Sequence, residues 1–312
     1  MRGRFAPSPT GDLHLGNART ALLSWLQVRS AGGRFVMRVE DLDPGRVREE
    51  YLESQLLDLR WLGLDWDEGP DVGGDFGPYL QSARQANYED ALQQLSEQGL
   101  LYECYCTRKE IAEAANAPHA DEEGPAYPGT CSGRPPTGSL GRPAALRFRV
   151  PAGEVLFDDA LHGTTVSDPA MEVGDFVVRR KDGVAAYQLA VVVDDAAMRI
   201  SDVLRGADLL SSTARQIPLY QALGLEPPRW THVPLVLSAD GERFSKRSGA
   251  LSLRELRERR VAPQRVVGWL AATCGLAPRG AELPAAELIG RYDPARLPRE
   301  DTRVDIPEWL RS

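Results

Sequence analysis

No apolar run in this chain approaches the roughly 18 residues that a membrane-crossing helix needs. The N-terminus has no signal-peptide pattern either, since chemically distinctive residues begin within the first dozen positions. A cytoplasmic protein with no membrane partner is the expectation. An excess of positive charge is also missing: 37 Lys and Arg stand against 45 Asp and Glu, a formal net charge of -8. That balance speaks against binding nucleic acid by bulk attraction, though not against a local basic groove. Arg179, Arg180 and Lys181 do cluster, as do the arginines of 254–265. Cysteine is scarce, with 4 in 312 residues, too few for a disulfide scaffold. No internal repeat is visible.

What remains, 42% hydrophobic and 26% charged, is the composition of an ordinary soluble globular protein of two or three compact units. A short strand at 4–6, a Pro- and Gly-rich turn at 7–11, a helix over 15–30 and an alternating strand at 34–39 open the chain. That order is the start of a doubly wound α/β nucleotide-binding unit. Helical periodicity returns at 49–62 and 82–99, with Gly63 and Gly99 where C-terminal caps belong. Residues 115–142 are rich in Pro, Gly, Ala and acid and read as loop. Strands are expected at 146–150, 175–179, 185–193 and 233–237, with 190–193 as a buried central strand, and a helix at 208–223. Residues 1–99 and 186–250 then form one discontinuous catalytic domain, 100–185 an insertion, and 251–312 a small helical unit.

Two segments carry phosphate chemistry. FAPSPTGDLHLGN (5–17) sets His14 at the mouth of a helix, with Gly16 and Asn17 following. A helix N-terminus offers unpaired N–H groups and partial positive charge, a cradle for phosphate. GERFSKRSG (241–249) is a glycine-bounded loop bearing Arg243, Ser245, Lys246 and Arg247, cations able to close on developing phosphate charge. Taken singly, a surface histidine and a solvated basic loop explain these residues as well.

Together and in this order they resemble the HIGH and KMSKS signatures of class I aminoacyl-tRNA synthetases. Arg243 stands where KMSKS has its first lysine, which keeps the charge but changes its geometry. RFAPS (4–8), RVEDLDPGR (38–46), WLGLDWDEGP (61–70), YLQSAR (79–84), VVVDD and VLRGADLL narrow the resemblance to the glutamyl branch over about residues 3–250. It implies a Rossmann-like doubly wound parallel sheet, with an inserted zinc-containing α+β subdomain. It also implies ATP with Mg²⁺, with His14, Gly16, Asn17, Arg243, Ser245 and Lys246 at the nucleotide. His14 would contact phosphate and Lys246 would stabilise departing pyrophosphate. L-Glutamate would be held by Glu40 on its ammonium and by Arg4, Tyr187 and Arg205 on its carboxylates, aided by the backbone of Arg4, Phe5, Ala6, Pro7 and Ser8. The charge logic is independent of the resemblance: free glutamate carries one ammonium and two carboxylates, and buried charges need partners.

Cys104, Cys106 and Cys131 fall within 28 residues, a spacing that points to a tetrahedral metal before a disulfide. His119 is the chemically ordinary fourth ligand. In the short glutamyl-synthetase relatives a C-x-C…Y-x3-C pattern makes tyrosine the fourth ligand of a structural zinc, and Tyr127 fits it. Cys274 reads as a core residue.

About 60 residues follow Lys246, fewer than an anticodon-binding domain requires. Residues 190–192 lack the asparagine of ordinary family members, and GADLLSST (206–213) resembles the short glutamyl-queuosine tRNA(Asp) synthetases. That branch implies tRNA-independent glutamate activation, transfer to queuosine in the anticodon loop of tRNA(Asp), and a monomer. The rivals are a truncated conventional synthetase charging the 3′ end and a non-catalytic RNA-binding module.

Overall fold

The computed structural model describes residues 1–114, 126–133, 143–241, 251–305 and 307–310. The central sheet starts with β1 (Arg2–Phe5) and β2 (Arg34–Met37), which pair in parallel across the connecting helix α1 (Leu15–Ser30). On the other side of β1 follow β8 (Asp202–Gly206) and β9 (Arg229–Val233), again parallel. The sheet ends with β5 (Val155–Asp159), parallel to β9, and the antiparallel edge strand β6 (Gly163–Ser167).

Alternation along the strands builds two cores, one on each face. Phe35 and Met37 of β2 and Leu204 of β8 join the core under α1, whereas Val36 and Val203 join the opposite one. α1 lies close to the sheet: a Cβ on Gly3 would meet Val28 Cγ2 at 2.5 Å, so this approach needs glycine. Helix α9 (Pro263–Thr273) packs on α1, while α2 (Glu49–Trp61) and α8 (Leu253–Glu258) pack on each other and add Leu59, Leu253 and Leu256 to the same core. Leu253, Leu256, Leu270 and Leu310 are buried in the same core as α1. The C-terminal residues thus complete the core of the nucleotide-binding unit. β10 (Val236–Ser238) and β11 (Thr302–Val304) tie the chain end back by a short parallel pair.

The opposite face carries α3 (Gln85–Glu97), α6 (Tyr187–Ala197) and α7 (Leu210–Leu223). α6 corrects the expectation of a strand at 185–193. Its residues Gln188 to Asp195 are all buried, so no polar face interrupts the apolar run. The β-branched run Val191–Val193 favours a strand locally, and packing of this segment against α7 and α3 overrides that preference. The central position belongs instead to β8, which lies between β1 and β9. The strand expected at 233–237 is split: β9 ends at Val233 and β10 begins at Val236, with Pro234 between them.

The segment 100–185 is divided between two sheets. β3 (Leu101–Cys104), β4 (Ala145–Phe148) and β7 (Phe176–Arg179) form a separate antiparallel sheet, with short helices α4 (Arg108–Ala114) after β3 and α5 (Pro169–Glu172) before β7, while the β5–β6 hairpin extends the main one. β5 brings Asp159 beside Trp230 on β9, next to the site described below. Among the described residues no helix is long and apolar enough to cross a membrane.

Candidate active site

A cleft of about 650 Å³ opens where β1 and β8 end, the crevice in which doubly wound sheets receive ligands. Arg4, Phe5, Ala6, Pro7, Ser8, His14, Gly16, Asn17, Glu40, Tyr187 and Arg205 all line it. Residues predicted from four separate stretches of sequence therefore meet in one cavity. Arg243, Ser245 and Lys246 lie outside the described residues. The flanks of their loop are nonetheless close to the cleft. Val236 lines it, and Leu253 N–H donates to Leu13 C=O (2.8 Å), one residue before His14.

His14 is the N-cap of α1. Its Nδ1 accepts from the Asn17 backbone N–H (3.4 Å), and Asn17 Oδ1 accepts from His14 N–H (3.3 Å). This reciprocal cap fixes the imidazole at the helix mouth, so Asn17 has a structural duty besides the expected one. Gly16 gives the ring its room: a Cβ there would stand 3.2 Å from the imidazole. The preceding turn is pinned by Gln55, whose Nε2 donates to the carbonyls of Ser8 (3.1 Å) and Gly11 (2.8 Å).

Behind the cleft runs a buried charge network that the sequence did not announce. Arg38 donates to Asp195 (2.6 Å) and Glu40 (3.2 Å), and Arg4 donates to Asp195 (3.3 Å). Asp194 receives Arg84 (2.5 Å), Gln81 (2.8 Å) and Tyr88 (2.9 Å). Arg4, Arg38 and Arg84 thus face Asp194, Asp195 and Glu40, three charges against three. Burial works against the Asp195 carboxylate, but Arg38 and Arg4 hold it below its ordinary range. For Glu40 burial wins over the same two cations and raises its pKa. An added cation beside Glu40 would relieve that cost.

Arg205 is different. It is 4% exposed, and its hydrogen-bond partners are uncharged: His232 Nε2 (2.9 Å), Thr213 Oγ1 (2.7 Å) and Gln216 Oε1 (3.0 Å). Among the described residues no carboxylate pairs with it, and Nη1 is buried without a hydrogen-bond partner. Burial accordingly lowers its pKa. Arg205 thus brings to the cleft a positive charge that no carboxylate of the described residues offsets. So does Arg19, which is tied to Cys274 and to the carbonyls of Pro234 and Thr273. Such charge invites an anionic ligand.

The three clustered cysteines stand apart from the cleft. Their sulfurs lie within 4.8 Å of one another. The Tyr127 hydroxyl is 3.5 Å from Cys104 Sγ and 3.8 Å from Cys106 Sγ, and Cys106 and Cys131 Sγ are 3.6 Å apart. A tetrahedral zinc, with bonds of about 2.3 Å to sulfur and 2.0 Å to oxygen, sets edges of roughly 3.8 and 3.5 Å. The donor set fits a metal ion. Two cations flank it: Arg147 stacks 3.6 Å over the Tyr127 ring, and Lys181 donates to the carbonyls of Tyr105 (3.0 Å) and Cys106 (3.1 Å). His119, the other expected ligand, lies outside the described residues.

Sequence reasoning missed Arg38, Asp195, Thr213, Gln216, His232 and Asp159 as neighbours of the site. Only the DD of VVVDD left a signal, since paired acids in an apolar run require buried partners. Nothing in the sequence pairs residues 159 and 232.

Residues 1–284 match the family described as tRNA synthetases class I (E and Q), catalytic domain. A glutamyl-Q tRNA(Asp) synthetase of Symbiobacterium thermophilum is 53% identical over 97% of this chain and 95% of its own length. One from Nitratidesulfovibrio vulgaris is 49% identical over 100% and 98%. Among solved structures, a glutamate tRNA ligase from Elizabethkingia meningosepticum in complex with its amino acid superposes with a TM-score of 0.83 at 29% identity. It covers 97% of this chain and 66% of the ligase. With matches along nearly its whole length, the chain belongs to the class I glutamyl and glutaminyl synthetase family and, within it, to the glutamyl-Q tRNA(Asp) synthetases.

Proposed function

We propose that the chain activates L-glutamate with ATP without tRNA present, then transfers the glutamyl group to queuosine at the wobble position of tRNA(Asp). Relatives at 53% and 49% identity bear that enzyme's name, and the family as a whole implies ATP, glutamate and tRNA as partners. The observation that carries the amino-acid choice is the buried Arg205 guanidinium, which no carboxylate of the described residues pairs with. Arg4 and Arg38 are answered by Asp195 and Glu40, whereas Arg205 meets only neutral groups and keeps Nη1 without a partner. Glutamate brings a side-chain carboxylate to answer that cation; glutamine brings a neutral amide.

In this reading the ammonium of glutamate sits at Glu40, whose carboxylate regains there the charge partner that burial makes desirable. Arg4, Tyr187 and Arg205 take the carboxylate oxygens. The α-carboxylate oxygen attacks the α-phosphorus of ATP, which Mg²⁺ accompanies, and the bond to pyrophosphate breaks. His14 and the N–H groups at the start of α1 receive phosphate oxygens, and Lys246 steadies the leaving pyrophosphate. A queuosine hydroxyl then attacks the glutamyl carbonyl and AMP leaves. Labelled glutamate should enter acid-precipitable tRNA(Asp) that contains queuosine and not the same tRNA lacking it. Equal labelling of both would overturn the acceptor.

A structural zinc held by Cys104, Cys106, Tyr127 and Cys131 completes the reading. With four protein ligands it has no open position for chemistry, so its work is to fasten the loop. About one zinc per chain is expected by metal analysis of protein purified without chelators. Cys131→Ser should lose the ion and melt at lower temperature. Retention of zinc by Tyr127→Phe, with loss in His119→Ala, would transfer the fourth position to His119.

A further inference from the structure

Arg205 owes its orientation to a chain of hydrogen bonds that begins in the β5–β6 hairpin. Asp159, 3% exposed, accepts four N–H donors. Its Oδ1 takes the backbone N–H of Leu161 (2.9 Å) and His162 (3.0 Å). Its Oδ2 takes the backbone N–H of His232 (2.9 Å) and contacts His232 Nδ1 (2.8 Å). An ionised carboxylate can only accept, so Nδ1 must carry the ring proton. Nε2 is then a bare acceptor, and it faces Arg205 Nε–H at 2.9 Å and the Thr213 hydroxyl at 3.2 Å. Gln216 is fixed in the same way, because its Nε2 donates to Gln188 Oε1 (2.9 Å) and Gln188 donates in turn to Ser212 (3.1 Å). Every group that orients the guanidinium is therefore a neutral acceptor.

Neutrality matters here. A carboxylate in place of His232 would orient Arg205 equally well but would cancel its charge. A protonated His232 would set Nε2–H against the Arg205 Nε–H. The titratable and charged groups around the imidazole are Asp159 on β5, His162 in the hairpin turn and Arg205 on β8. Burial and the Arg205 charge favour the neutral ring, against the pull of Asp159.

We propose that Asp159 and His232 are positioning residues that present Arg205 to the cleft as an oriented, uncompensated cation, so that preference for a substrate with a second carboxylate is set partly from the β5–β6 hairpin. The proposal rests on the cleft being a glutamate site. Asparagine cannot replace Asp159, since either orientation turns its NH₂ toward N–H donors.

Pyrophosphate exchange with glutamate and with ATP as the varied substrate separates the outcomes. Asp159→Asn and His232→Leu should raise KM for glutamate by roughly 10–100-fold, the usual effect of removing a partner from a buried charged group. KM for ATP should stay within twofold. His232→Gln, which can return an acceptor toward Arg205, should recover most of the loss. Unchanged glutamate KM in folded Asp159→Asn and His232→Leu would overturn the relay. An Arg205→Ala enzyme with normal glutamate KM would overturn the glutamate site itself. For a readout that needs no variant, ¹⁵N-histidine spectra of the wild-type protein at pH 7 should show His232 neutral and protonated on Nδ1. The Nε2–H tautomer or an imidazolium would contradict the relay.

Discussion

Replacing Arg205 by alanine should lower kcat/KM for glutamate in pyrophosphate exchange by roughly 10²–10³-fold, the scale set by stripping one partner from a buried ion pair. Truncation removes a buried cation that no carboxylate of the described residues pairs with, and takes away one of the three side chains proposed to receive the substrate carboxylates. The wild-type enzyme should reject glutamine for the mirror reason, because a neutral amide leaves Arg205 buried and unanswered. The loss in Arg205→Ala should fall on glutamate and not on ATP, whose expected contacts lie at the start of α1. Activity within fivefold of wild type, with folding intact, would remove Arg205 from the substrate.

Lys246→Ala should slow glutamyl-adenylate formation by roughly 10²–10³-fold, the loss typical of a donor aimed at transition-state charge. Glutamate binding should change little, since the residues proposed for the amino acid, Arg4, Glu40, Tyr187 and Arg205, line the cleft from other elements. Calorimetric titration with glutamate and single-turnover adenylate formation measure the two effects separately. A wild-type exchange rate in the variant would rule out the role.

The sequence was most informative where chemistry and a turn coincide. PSPTG followed by a helix start gave His14 and Gly16 their place, and the structure adds that Gly16 makes room for the imidazole. The first strands and α1 were legible because proline and glycine bound them, Pro7 after β1 and Gly32 and Gly33 between α1 and β2. α6 was not: its three successive valines carry strand propensity, and only packing against α7 and α3 makes the segment helical. The predicted amino-acid ligands came from a charge requirement plus resemblance, and all of them line one cleft. Their supports stayed invisible. Asp159 and His232 are 73 residues apart and meet only because β5 lies beside β9. Arg38 and Asp195 likewise meet across 157 residues. Single-residue chemistry shows which charges must be answered; the sheet order decides by whom.

The acceptor is the central claim, and one labelling experiment reaches it. Queuosine-containing tRNA(Asp) is stripped of its 3′-terminal adenosine and incubated with ATP, labelled glutamate and the enzyme. Labelling equal to that of intact tRNA is the expected result, because the glutamyl group goes to the anticodon loop. Loss of the label along with the terminal adenosine would contradict it and make the chain a conventional acceptor-end synthetase.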